Sequence, residues 1–196
     1  MQPHALSRQS ELFKQAAAKA SEAMSKWLGR PARIEVNLVS SLPLAEAENV
    51  FGSKDAPLVA CVMHIRGMFS GLLVLTSDDS SGLSLADLLL GREPGSSREW
   101  TEIERSAAIE TANIIGCAYL NSMASDPASG AAEAGGGLLP SPPTFLRDYA
   151  AAVMEGILMV QASHAEHIFL TQTRLEVDRM PGNCSLLFIP EADSGA

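Results

Sequence analysis

The sequence predicts an α/β (α+β) domain: a mostly antiparallel sheet with two long helices packed side by side on one face. Three observations predict it. Helical and strand-like stretches alternate along the chain, the order of elements in residues 6–91 returns in residues 99–190, and each half opens on a helix with the spacing Ser-x3-Glu. Two similar units, each unable to cover its own sheet face, pack as one pseudo-twofold domain with a continuous sheet.

Taken in order, residues 6–28 are alanine-rich with charges spread among apolar positions, and Gly29-Arg30-Pro31 stops them, which predicts a long first helix. Residues 32–39 place Ile34, Val36 and Leu38 on one side, the alternation of a half-buried strand. A short helix or turn follows over 44–51. Residues 58–65 and 69–76 predict two strands joined by a turn at Gly67. A short helix over 84–90 and a polar connector over 91–98 lead to a central helix that begins near Glu99 and ends around Ala124. Its apolar stripe is read as Ile103, Ala107, Ile114 and Ala118. Residues 125–143, built from Ala, Gly, Ser and Pro, predict a mobile loop or insertion. Thr144 is read as the cap of a helix running through about Gln161, with Phe145, Tyr149, Val153 and Leu158 inward. Residues 167–177 and 184–189 predict strands hinged at Met180-Pro181-Gly182, and 190–196 a frayed tail.

Fourteen basic against 23 acidic residues give a net charge of −9, which opposes attraction to nucleic acid or anionic lipid. No apolar run is long enough to span a bilayer, and the first residues carry no signal-peptide core, so a cytoplasmic protein is expected. Cys61, Cys117 and Cys184 are scattered singly, which predicts reduced thiols, with Cys61 and Cys184 buried in strands. His164-Ala165-Glu166-His167 matches no strong ligand spacing, and no metal site is expected. His64 is read as a core or edge histidine.

The central helix carries the chemistry. At about 100° per residue, Ser106, Glu110, Asn113 and Cys117 form a narrow polar arc, and Ala107, Ala108, Ala112 and Gly116 keep its flanks short. Another surface could approach closely. The first half repeats the motif as Ser7-x3-Glu11, but Lys14 stands where Asn113 stands. Gly71-Leu-Leu-Val-Leu likewise echoes Ser185-Leu-Leu-Phe-Ile. A carboxamide accepts from and donates to water without a charge that would repel phosphoryl oxygens. An acyl phosphate is already reactive, so placing a water in line with the P–O bond is most of what its hydrolysis requires.

Ser106-x3-Glu110-x2-Asn113, followed by Ile114-Ile115-Gly116 and Ala118-Tyr119-Leu120-Asn121, resembles the signature helix of the CheC/FliY/CheX phosphatases of bacterial chemotaxis. The end of the first helix, Ala23-Met24-Ser25-Lys26-Trp27-Leu28, and Pro142-Pro143 with Asp148 are also similar to segments of that family. The resemblance implies a CheC-like duplicated domain that accelerates hydrolysis of the aspartyl phosphate on a phosphorylated CheY-like receiver domain. Asn113 and Glu110 would be the catalytic pair, the amide orienting water and the glutamate engaging a receiver lysine. Ser106 and Glu11 would contact the partner. No cofactor of its own is implied, since the Mg2+ belongs to the receiver, and binding of a CheD-like protein is left open. The alternative is a non-catalytic adaptor that binds a receiver or a flagellar component through the same edge. Lys14 leaves at most one working site where the CheC type has two, and the insertion before Pro142 lengthens the loop bordering it. The CheX type dimerises by strand exchange, so oligomeric state does not carry over.

Overall fold

A computed structural model describes residues 3–43, 55–67, 70–125, 137–161, 167–177 and 180–190. The features predicted over 44–51, most of the 125–143 loop, His164 with Glu166, and the tail beyond Pro190 lie outside the described residues. The elements are α1 (Pro3–Leu28), β1 (Ala32–Pro43), β2 (Pro57–Gly67), β3 (Gly71–Asp78), α2 (Asp79–Leu89) and α3 (Glu102–Ala124), then β4 (Leu138–Pro140), β5 (Thr144–Tyr149), α4 (Ala150–Gln161), β6 (His167–Val177) and β7 (Met180–Pro190). Among the described residues no helix is long and apolar enough to cross a membrane.

The strands form one sheet in the order β1-β6-β7-β3-β2-β4, with β5 also on β2. Every pairing is antiparallel. The order is symmetric about the central β7–β3 pair: β1 crosses to pair with β6 of the second half, and β4 and β5 cross to pair with β2 of the first. Neither half completes its own sheet, so the two fold as one body.

Alternation along β2 sorts its side chains onto two cores. Met63 and Ile65 join Phe13, Ala16, Ala20 and Met24 of α1 and Ile115, Tyr119 and Leu120 of α3. Leu58, Ala60 and Val62 face Val153, Met154 and Ile157 of α4 on the opposite side. The two long helices share one face of the sheet and touch through the rings of Phe13 and Tyr119, 5.9 Å apart. Two serines of α1 hold β1 beneath it: Ser21 Oγ accepts from Ile34 N at 2.8 Å, and Ser25 Oγ accepts from Ala32 N at 2.8 Å.

Three local expectations change. Residues 144–149 are a strand and not the first turns of a helix, because Thr, Phe and Tyr favour a pleat and β2 offers them unpaired backbone from Pro57 to Val62. The helix starts only at Ala150, and Tyr149 stands 60% exposed. Part of the expected mobile loop is ordered: Leu138–Pro140 pairs with Ile65–Gly67, and Ser141 bonds both backbone groups of His64, whose side chain is exposed at this edge. Gly67 permits this approach with φ 125°, since a Cβ there would lie 2.2 Å from the Gly137 carbonyl oxygen. Met180-Pro181-Gly182 is no hinge but the start of β7, paired with Val177, Glu176 and Leu175.

The depth of α3 over the sheet is set at Gly116, where a Cβ would meet Met63 Sδ at 2.6 Å and Leu73 Cδ2 at 3.2 Å. Gly116→Val therefore forces the helix outward or Met63 aside, and urea unfolding is expected to show a loss of about 1–3 kcal/mol despite the better helix propensity of valine.

Candidate functional site

The geometry of α3 is decided at its first turn. The helix begins at Glu102, with Thr101 as the flanking residue, three residues later than expected. Glu104, 3% exposed, turns back into the protein, where its carboxylate accepts from Thr101 N at 3.1 Å, from the Thr101 hydroxyl, and from Arg92 Nη1 at 2.6 Å. Thr101-x-x-Glu104 is thus a capping pair, and it could have been found by its spacing. Fully buried Asp87 accepts from Ser97 N at 3.1 Å and from the Ser97 hydroxyl, so the 91–98 connector is fastened at both ends. Asp79 adds a third fastening: it accepts from Trp100 Nε1 at 2.9 Å and from Arg147 Nε at 2.6 Å, tying α2, the entry to α3 and β5 together. Trp100 packs against Phe145 of β5 with ring centroids 5.0 Å apart and planes tilted by 51°.

So fastened, α3 buries Ala107, Thr111, Ala112, Ile115, Gly116, Tyr119 and Leu120. The polar arc lies on the far side. Ser106 is exposed, and Glu110, Asn113 and Cys117 are half-buried. Ile103, expected on the apolar stripe, is instead 52% exposed, because the buried face is rotated toward Glu104 and Thr111.

Within the arc, Cys117 Sγ donates to Asn113 Oδ1 at 3.6 Å. Burial, and then the negative charge of Glu110, raise the Cys117 thiol above its ordinary value. Among the described residues no basic side chain pairs with Glu110, and nothing bonds the amide nitrogen of Asn113. The first-half edge differs: Lys14 Nζ holds Glu11 Oε1 at 2.9 Å, with both side chains exposed. The structure thus brings Ser106, Glu110 and Asn113 together on α3 and places Glu11 apart on α1, already paired. Among the described residues no group of three His, Cys, Asp or Glu could hold a metal ion.

No family model matches the chain, and no curated protein matches it in sequence. Solved structures do. FliY of Thermotoga maritima superposes with TM-score 0.76 at 18% identity over 96% of this chain and 91% of that one. This is the CheC/FliY/CheX fold. The FliM middle domain of H. pylori matches with TM-score 0.68 at 14% identity, covering 98% of this chain and 94% of that one. CheX from a CheX–CheY–BeF3–Mg complex of Borrelia burgdorferi matches with TM-score 0.54 at 14% identity, covering 92% and 97%.

Two measurements check this site. The Thr101 hydroxyl and Arg92 hold the Glu104 carboxyl down to about 2, against its burial, from an ordinary value of 4.5. A depressed value means that ionised Glu104 stabilises the fold above about pH 4.5, and that this contribution is lost as pH falls toward about 2. Stability to urea is expected to drop through that window, and Glu104→Gln to be weaker at neutral pH with a shallower acid drop. Burial pushes Cys61 and Cys184 up to about 12, so brief iodoacetamide treatment of the native protein at mild alkaline pH should label Cys117 alone. Peptide mass mapping reads the result, with all three labelled in denaturant.

Proposed function

We propose that this protein accelerates loss of phosphate from the aspartyl phosphate of a CheY-like receiver domain, with the α3 edge as its working surface. One observation carries the reading. A carboxylate and an amide sit one helical turn apart, Glu110 without a cation and the Asn113 nitrogen without a partner among the described residues, on a helix whose first turn is fastened by the Arg92–Glu104 ion pair. The CheX relative crystallised with CheY, beryllofluoride and magnesium supports the choice of partner.

Asn113 would accept a hydrogen bond from a water and donate one toward a phosphoryl oxygen, setting the water opposite the aspartyl oxygen. The water oxygen bonds phosphorus and the aspartyl P–O bond breaks, its electron pair returning to the carboxylate. Inorganic phosphate leaves, and the water's proton ends on phosphate or solvent. Glu110 would take a receiver lysine and hold the amide over phosphorus. The receiver would contribute the Mg2+ that neutralises phosphoryl charge, and this chain would contribute no ion.

A second reading, an adaptor that binds without hydrolysis, is favoured by the likeness to the FliM middle domain, which has also been crystallised with FliG. Asn113→Ala separates the two. On the phosphatase reading, accelerated decay of receiver phosphate falls by about a hundredfold or more while the circular dichroism spectrum is unchanged. A receiver that binds the wild-type protein and keeps its intrinsic phosphate lifetime would establish the adaptor.

A further inference from the structure

We infer that Ile103 is an apolar docking anchor for the receiver domain, one end of a contact line that runs along α3 to Asn113; the inference rests on the receiver reading above. Ile103 is the one large apolar residue of α3 that is more exposed than buried, at 52%. At about 100° per residue, Ile103, Ser106, Glu110, Asn113 and Cys117 fall within roughly 80° of arc. With a rise of 1.5 Å per residue, the line from Ile103 to Asn113 is about 15 Å long. A surface laid on Glu110 and Asn113 therefore covers Ile103 if it extends two further turns toward the helix start.

The local chemistry suits an anchor. Ser106 and Ala107, the neighbours one turn on, are short, so the isoleucine stands above them. A β-branched side chain in a helix already occupies mainly one χ1 rotamer, so docking takes little freedom from it. The backbone beneath is held by Glu104, whose carboxylate binds Arg92 and Thr101. A rigid apolar group beside a charged and an amide group divides the work of docking: burial of the apolar group supplies affinity, and the polar groups supply register. The first helix has no counterpart, since counting by the same repeat puts His4 and Lys14 where Ile103 and Asn113 stand.

The test titrates the protein with the CheY-type receivers of its source organism, each loaded with beryllofluoride and Mg2+. Ile103→Ser is expected to raise the dissociation constant about tenfold, as lost burial of half an isoleucine implies. Ile103→Val should restore affinity to within about threefold. In decay assays, Ile103→Ser should shift the half-saturating concentration and leave the saturated rate unchanged. Wild-type affinity in Ile103→Ser, or a loss in Ile103→Val as large as in Ile103→Ser, overturns the anchor and leaves the receiver reading standing. Failure of the wild-type protein to bind any loaded receiver overturns the receiver reading, and this inference with it.

Discussion

A buried carboxylate has to be matched by donors, and the match at Glu104 determines where the middle helix begins and which way it faces. A carboxylate covered from water needs donors in exchange, so Glu104 at 3% exposure is tolerable only with Arg92 and Thr101 in place. Arg92 comes from the connector, which is itself held by Asp87 through Ser97, and Thr101 is the residue that opens the helix. The rotation of α3 about its axis follows. With Glu104 inward, Thr111 and Ile115 must face the sheet, and Glu110 and Asn113 must face away from it. Gly116 then sets how closely the helix lies on Met63 and Leu73.

Much of this could be read from residue order. The two long helices, the antiparallel strands and the polar arc followed from periodicity and from the repeated Ser-x3-Glu spacing. What could not be read was decided by contacts distant in sequence. Thr144 to Tyr149 carries two competing local signals, a helix cap at Thr144 and strand-favouring Thr, Phe and Tyr, and the choice turned on the free edge of β2, more than eighty residues earlier. Leu138 to Pro140 is ordered by the same edge. The placement of Ile103 failed for a different reason: four apolar residues at helical spacing suggested a core stripe, but the cost of leaving Glu104 unmatched outweighs the gain from burying one isoleucine. The Thr101-x-x-Glu104 spacing was visible and pointed the right way.

The sheet order explains why two halves of similar plan can diverge at the surface without loss of the fold. Each half lends an edge strand to the other, so the packing of both long helices on the common sheet is shared. Their outer edges are under no such constraint. On α1 the carboxylate of Glu11 holds Lys14, a surface pair one turn apart that contributes only a few tenths of a kcal/mol. Its greater consequence is electrostatic, because an approaching lysine meets an ammonium already in place. On α3 the equivalent carboxylate meets no such cation among the described residues.

The charge on each group of the α3 edge constrains what the edge can do. Two unit charges 4 Å apart at an effective dielectric of 20 interact by about 4 kcal/mol, roughly a thousandfold in rate. A carboxylate at position 113 would therefore forfeit most of what holding a water in line can gain against a phosphoryl group. A neutral amide does not. Glu110, one turn away, is close enough for the same repulsion to matter, so an edge of this kind works only when the partner brings a cation to that carboxylate. The chain supplies none among its described residues. On the receiver reading proposed above, the pair is half of a site: it would approach a phosphorylated surface favourably when that surface carries a lysine at the matching distance, and the same requirement would discriminate against phosphoryl groups that lack one.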